Sequence, residues 1–150
     1  MLFRSRYDLK TNVWDFFLYP LEKTEAEDDW IGLSEIVSLG SDRYAVIERD
    51  KMVGGAIKLK AVYTFSLQGV KPYNGIVTPN ADLQGRVIRK ARALDLAGTF
   101  APFEKLEGLT VTPNGRVWAA LDNDGGEVTD RKSTRLNSSH IQKSRMPSSA

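Results

Sequence analysis

Three short clusters carry side chains able to do chemistry. The sharpest is Asp122, Asn123, Asp124, Gly125, Gly126 and Glu127, directly after an apolar run. Asp122 and Asp124 are two apart, so in an extended chain both point the same way. The glycines let the backbone bend until carbonyl oxygens can join them, and hard oxygen donors suit Ca²⁺. The pattern is not that of an EF-hand, whose last acidic ligand is missing. The cluster is therefore either a calcium-binding segment or a polar Asx turn capping a strand. Glu48, Arg49, Asp50 and Lys51 form the second cluster. Glu48 and Asp50 share one side of an extended strand, and Arg49 and Lys51 the other. That pattern either sets a carboxylate in a cleft beside a phosphate-binding cation or is an ion-paired strand end. The third cluster is Glu107 with Gly108. Gly108 allows another backbone or a ligand to come close. Glu107 is either a ligand or general base or a surface glutamate.

Strands must position these groups. Residues 2–9 and 13–19 flank a Lys10, Thr11, Asn12 turn and read as a hairpin. Residues 22–29 are an acidic, solvated connection. Residues 33–39 and 44–48 flank Gly40, Ser41, Asp42 and Arg43, a second hairpin. In 57–67, Ile57, Leu59, Ala61, Tyr63 and Phe65 alternate onto one face. Residues 106–112 and 116–121 flank Pro113, Asn114 and Gly115, a third hairpin with strong turn chemistry. The stretch 84–97 fits both a helical stripe and strand alternation, and it is read as a strand with an irregular loop. Its Arg86, Arg89, Lys90 and Arg92 make either a solvated face or a phosphate-facing patch. Trp14, Trp30 and Trp118 are read as core or sheet-packing residues. The hairpins at 33–50 and 106–124 look alike, as repeated units of a propeller would.

Length and charge bound the rest. The 150 residues allow one ordinary domain. With no cysteine, a disulfide scaffold and a thiolate nucleophile are excluded. Residues 130–150 closely resemble the translation of a short-read sequencing adapter, with both constant parts in one frame around a variable index at 141–143. Such a segment is left out of fold reasoning as a non-native, disordered tail. It holds five basic residues and one acidic residue, so 1–129 keeps 21 − 5 = 16 basic and 19 − 1 = 18 acidic residues, a net charge of −2 rather than +2. The single histidine, His140, goes with it. No Ser-His-Asp triad or histidine metal site can be built from 1–129. The case for a nucleic-acid partner also lay in the tail, and none is expected. Residues 1–6 lack an apolar stretch of signal length, and no run is long enough to span a membrane.

The segments Gly32-Leu-Ser-Glu-Ile36, Tyr44-Ala-Val-Ile-Glu-Arg-Asp50, Leu106-Glu-Gly-Leu-Thr-Val-Thr-Pro-Asn-Gly115 and Ala120-Leu-Asp-Asn-Asp-Gly125, with Tyr63-Thr-Phe-Ser-Leu67 between them, resemble the blocks of the phytase-like esterase domain family. The resemblance runs over most of 3–127. It implies an all-β fold, a β-propeller of antiparallel blades, of which 1–129 is a part. It also implies export to the periplasm or outside the cell, further blades beyond this sequence, and an esterase-like activity related to phytase. By that analogy Glu48, Asp50, Glu107, Asp122 and Asp124 lie near one mouth of the propeller. The expected activity is calcium-dependent hydrolysis of a small phosphorylated or ester substrate. Glu48 and Glu107 are the candidate catalytic carboxylates, Arg49 the substrate contact, and Asp122, Asp124 and Asp50 the Ca²⁺ ligands. The alternative is a non-catalytic propeller that binds a ligand or protein. A few hairpins without ring closure are expected to fold poorly or aggregate, inactive alone. Oligomeric state is left open.

Overall fold

The computed structural model describes residues 2–75, 77–78, 81–103 and 105–122. Asp124, Glu127 and the whole 130–150 tail lie outside them. Eight strands follow in chain order: β1 (Leu2–Asp8), β2 (Val13–Tyr19), β3 (Gly32–Gly40), β4 (Arg43–Arg49), β5 (Lys60–Ser66), β6 (Lys90–Asp95), β7 (Leu106–Val111) and β8 (Val117–Leu121). The only helical element among the described residues is a short 3₁₀ turn at Gly54–Ala56. The fold is all-β, and every sheet is antiparallel.

β3, β4, β5 and β6 form a four-stranded meander, with the β1–β2 and β7–β8 hairpins as separate sheets. Each hairpin closes where the sequence carries turn chemistry. The Asp8 carboxylate accepts the N–H groups of Lys10 and Thr11 at 2.8 and 3.2 Å, an Asx turn before Asn12 at φ 56°. Gly115, at φ 76°, supplies the left-handed residue of the β7–β8 turn. In 84–97 the strand is confined to β6 and the earlier part is irregular. A register shift between β5 and β6 lets Lys90 pair with Phe65 and Arg92 with Tyr63.

Both faces of the meander are buried, which explains its near-continuous apolar centre. Ala45, Ile47 and Val62 pack with Leu106, Leu109, Val117 and Ala119 of the β7–β8 hairpin, with Leu96 and Phe100 filling the edge. On the other face Val46, Ala61, Tyr63 and Phe65 pack with Phe17 and Tyr19 of β2. Leu59, Ala61, Tyr63 and Phe65 thus share one face, as their spacing requires. The arrangement is consistent with successive propeller blades. Two of the three tryptophans depart from the sequence expectation, while Trp118 of β8 is half-buried. Trp14 and Trp30 are 53% and 47% exposed. Trp14 instead sits beside Tyr7, centroids 4.8 Å apart, on the outer face of β1–β2.

Candidate functional site

Alternation along β4 decides where its charged end goes. Glu48 follows Val46 onto the β2 face, and Arg49 follows Ile47 onto the β7 face. Glu48 is fully buried. It accepts hydrogen bonds from the Tyr19 hydroxyl at 3.1 Å, from the backbone N–H of Glu22, and from Lys90 Nζ at 2.6 Å. Lys90 reaches across from β6, and its ammonium lies 4.2 Å from the Tyr63 ring centroid and 5.1 Å from that of Tyr19. A buried ammonium is tolerable only with such paired charge and aromatic faces. Its remaining partner is the Glu22 carboxylate at 3.0 Å, whose side chain is 47% exposed.

This ion-pair chain forms the floor of a cleft of about 510 Å³ lined by Glu22, Lys23, Ile31, Lys58, Leu59, Tyr63, Lys90 and Arg92. Four cations converge there against one lining carboxylate. The hydrogen bond from Lys90 holds the Glu22 carboxyl below the usual carboxylate range. Burial, then the charges of Glu22 and Glu48, push the Tyr63 phenol up to about 12. Burial and Glu48 push the Tyr19 phenol up as well. Both phenols therefore stay protonated near neutral pH and can only donate to an anion.

Asp50 serves the same cleft from below. One of its oxygens accepts the Lys58 and Leu59 N–H groups at 2.5 and 2.8 Å. The other faces the Met52 N–H and Lys60 Nζ, both at 3.3 Å. Asp50 and Lys60 are both fully buried. Asp50 thus fixes the loop that presents Lys58, and its oxygens are occupied.

Arg49 stands on the opposite face. Its guanidinium donates to Ser34 Oγ at 3.1 Å, to the Asp50 carbonyl at 3.3 Å and to Glu107 Oε1 at 2.8 Å. It also lies 5.2 Å from the centroid of the Trp30 ring. These groups line a smaller cleft of about 230 Å³ with Leu33. The two clefts share no lining residue. The structure therefore brings Arg49 and Glu107 together and sets Glu48 apart from them. Glu107, the second residue of β7, and Asp122, just after β8, lie at the same end of their hairpin. Asp122 is exposed.

Among the described residues no three carboxylate, histidine or cysteine groups are placed to hold a metal ion. Glu48 and Asp50 do not fit one, because cations and N–H groups already fill their oxygens. Glu107 is neutralised by Arg49. Asp122 follows β8 at the exposed end of its hairpin, and Asp124 lies outside the described residues. Sequence reasoning missed Lys23, Lys58, Tyr63 and Glu22 as cleft residues. The available signal was the basic run at 86–92. Lys90 and Arg92 turn into the cleft, while Arg86 turns away, onto Tyr73 and the Pro72 carbonyl.

A family model described as Phytase-like, esterase-like activity of phytase, matches residues 4–125. No curated protein and no solved structure matches the chain.

Proposed function

The chain belongs to the phytase-like family, and from that premise we propose that it takes part in hydrolysis of a small phosphoester, bound by its phosphate in the Lys23, Lys58, Lys90 and Arg92 cleft. The membership suggests esterase-like hydrolase activity at the level of the family. The observation that carries the finer reading is the convergence of four cations on one open cleft. Lysine is a compact point charge suited to phosphate, and arginine adds a planar fork of donors. Low-dielectric walls from Leu59, Ile31 and Tyr63 strengthen the field of those charges. Protonated Tyr63 supplies a neutral donor beside them.

In this reading Glu48 and Asp50 act as positioning residues for Lys90 and Lys58. Arg49 holds Glu107 at the neighbouring sheet. Glu107, with a side chain 39% exposed, lines the second cleft, on the face opposite the four cations. Calcium dependence is part of the proposal and rests on Asp122 and Asp124, which would supply hard carboxylate oxygens to a Ca²⁺ ion. Residues 1–129 are taken as part of a β-propeller and 130–150 as an adapter-derived tail. An extracellular or periplasmic setting is likewise proposed from the family. No helix among the described residues is long and apolar enough to cross a membrane.

The second reading, a non-catalytic ligand-binding propeller, is favoured by one observation. Glu48, Asp50 and Glu107 are all already neutralised by cations. Turnover separates the two. The full-length protein, with its complete propeller, is assayed for phosphate release from an aryl phosphate and for acid release from an aryl acetate, with Ca²⁺ and with a chelator. Calcium-stimulated phosphate release that falls in Lys58→Met/Arg92→Met supports the hydrolase. Phosphate binding without any turnover supports the binding module.

A further inference from the structure

Lys90 and Glu22 differ sharply in their exposure. The Lys90 side chain is 8% exposed, whereas that of Glu22, its partner at 3.0 Å, is 47% exposed. The Glu22 backbone does not depend on that ion pair, because its N–H is bound to Glu48. The side chain, held by Lys90 and by the Tyr63 hydroxyl, can therefore exchange both contacts for solvent while the backbone stays in place. Lys90 cannot follow. It is held by Glu48 at 2.6 Å and enclosed by the Tyr19 and Tyr63 rings. We propose that the Glu22 carboxylate occupies the seat of the ligand's anionic group and is displaced when a phosphate dianion binds.

The exchange is close to neutral at Lys90 and at the Tyr63 hydroxyl, since each donates to a ligand oxygen in place of the Glu22 carboxylate. The net gain comes from Lys23, Lys58 and Arg92, which line the cleft. The lysines are exposed, and Arg92 pairs with Asp95 at 3.4 Å, both side chains being more than half exposed. A tethered carboxylate competes at a high effective concentration. A monoanion merely swaps with Glu22 and loses to it. A dianion can satisfy Lys90 and the rim cations together. Glu22 therefore acts as a selectivity filter for phosphate dianions over carboxylates. This deepens the phosphoester reading and rests on it.

The test titrates inorganic phosphate and acetate into the full chain by calorimetry, comparing wild type with Glu22→Gln and Glu22→Ala. Both substitutions keep the backbone N–H that binds Glu48. Phosphate is expected to bind about fivefold more tightly to both variants, the scale of a partly exposed ion pair. Acetate binding is expected to appear only in the variants. Equal or weaker phosphate binding in both variants overturns the displacement. The cleft reading survives that result if Lys58→Met/Arg92→Met still weakens phosphate. Absence of phosphate binding in wild type and variants alike overturns both.

Discussion

Glu48 and Arg49, adjacent in β4, fasten opposite faces of the same sheet. Glu48 ties β4 to Lys90 of β6, Tyr19 of β2 and the backbone of Glu22. Arg49 ties β4 to Glu107 of β7. A period of two residues thus converts one charged dipeptide into staples for two packing interfaces.

The Glu48 staple is the costlier one to break. Lys90→Met leaves a fully buried carboxylate without its cation. Urea unfolding is expected to show a loss of about 3–5 kcal/mol. Lys90→Met combined with Glu48→Gln is expected to recover part of it, because the stranded charge is removed as well. A double variant no more stable than Lys90→Met alone contradicts the pairing.

Arg49→Lys keeps the charge and loses the planar fork that reaches Ser34, Asp50 and Glu107 together. A loss on the order of 2 kcal/mol is expected. The same change uncovers the Trp30 ring, so indole fluorescence should shift in the folded state. An unchanged spectrum argues against the stacked geometry.

Gly32 packs against that indole. A Cβ there meets Trp30 Cζ3 and Cε3 at less than ordinary contact distance. Gly32→Ala is expected to expel the ring from its place and reproduce the fluorescence change of Arg49→Lys. Wild-type fluorescence in Gly32→Ala contradicts the placement.

Two cleft groups contribute to opposite pH limits. The Glu22 carboxyl is lowered from 4.5 in the fold by Lys90. Its stabilising contribution is present above 4.5 and fades as pH falls through the lower folded value. The Glu22 side chain is about half exposed, so the effect is small. The Tyr63 phenol is raised from 10.0 to about 12. Its contribution is complete below 10.0 and is lost as pH rises toward about 12. Tyr63→Phe should flatten the alkaline limb of stability, and Glu22→Gln the acid limb. Parallel limbs in wild type and variants exclude these assignments.

The strands were legible because their cues are local. Turn residues at 10–12, 40–43 and 113–115 and alternation in 57–67 need no partner to be read. Both ambiguous points involved tertiary contacts. The stretch 84–97 becomes a strand only where β5 offers an edge. Trp30 is exposed because Arg49 and Gly32 give it a seat at the surface. The site was half legible for the same reason. Glu48, Arg49, Asp50 and Glu107 stood out as charge at strand ends. The roles of Glu48 and Asp50 depend on Lys58, Glu22 and Lys90, which are 8, 26 and 42 residues from the carboxylates they meet. Glu22 lay in an acidic loop that composition alone marks as solvated. The acidic segment at 122–127, either a calcium site or an Asx turn, was read from spacing, and of its two aspartates Asp122 is within the described residues.

The central claim is that the four-cation cleft, and not the Arg49 cleft, receives phosphate. Titration of inorganic phosphate into the ¹⁵N-labelled full chain, followed by amide NMR shifts, tests it most directly. Saturable shifts are expected at Glu22, Lys23, Lys58, Leu59 and Lys90 through Arg92, with Ser34, Arg49 and Glu107 unmoved. Shifts confined to Ser34, Arg49 and Glu107, or none at any of these amides, would contradict it.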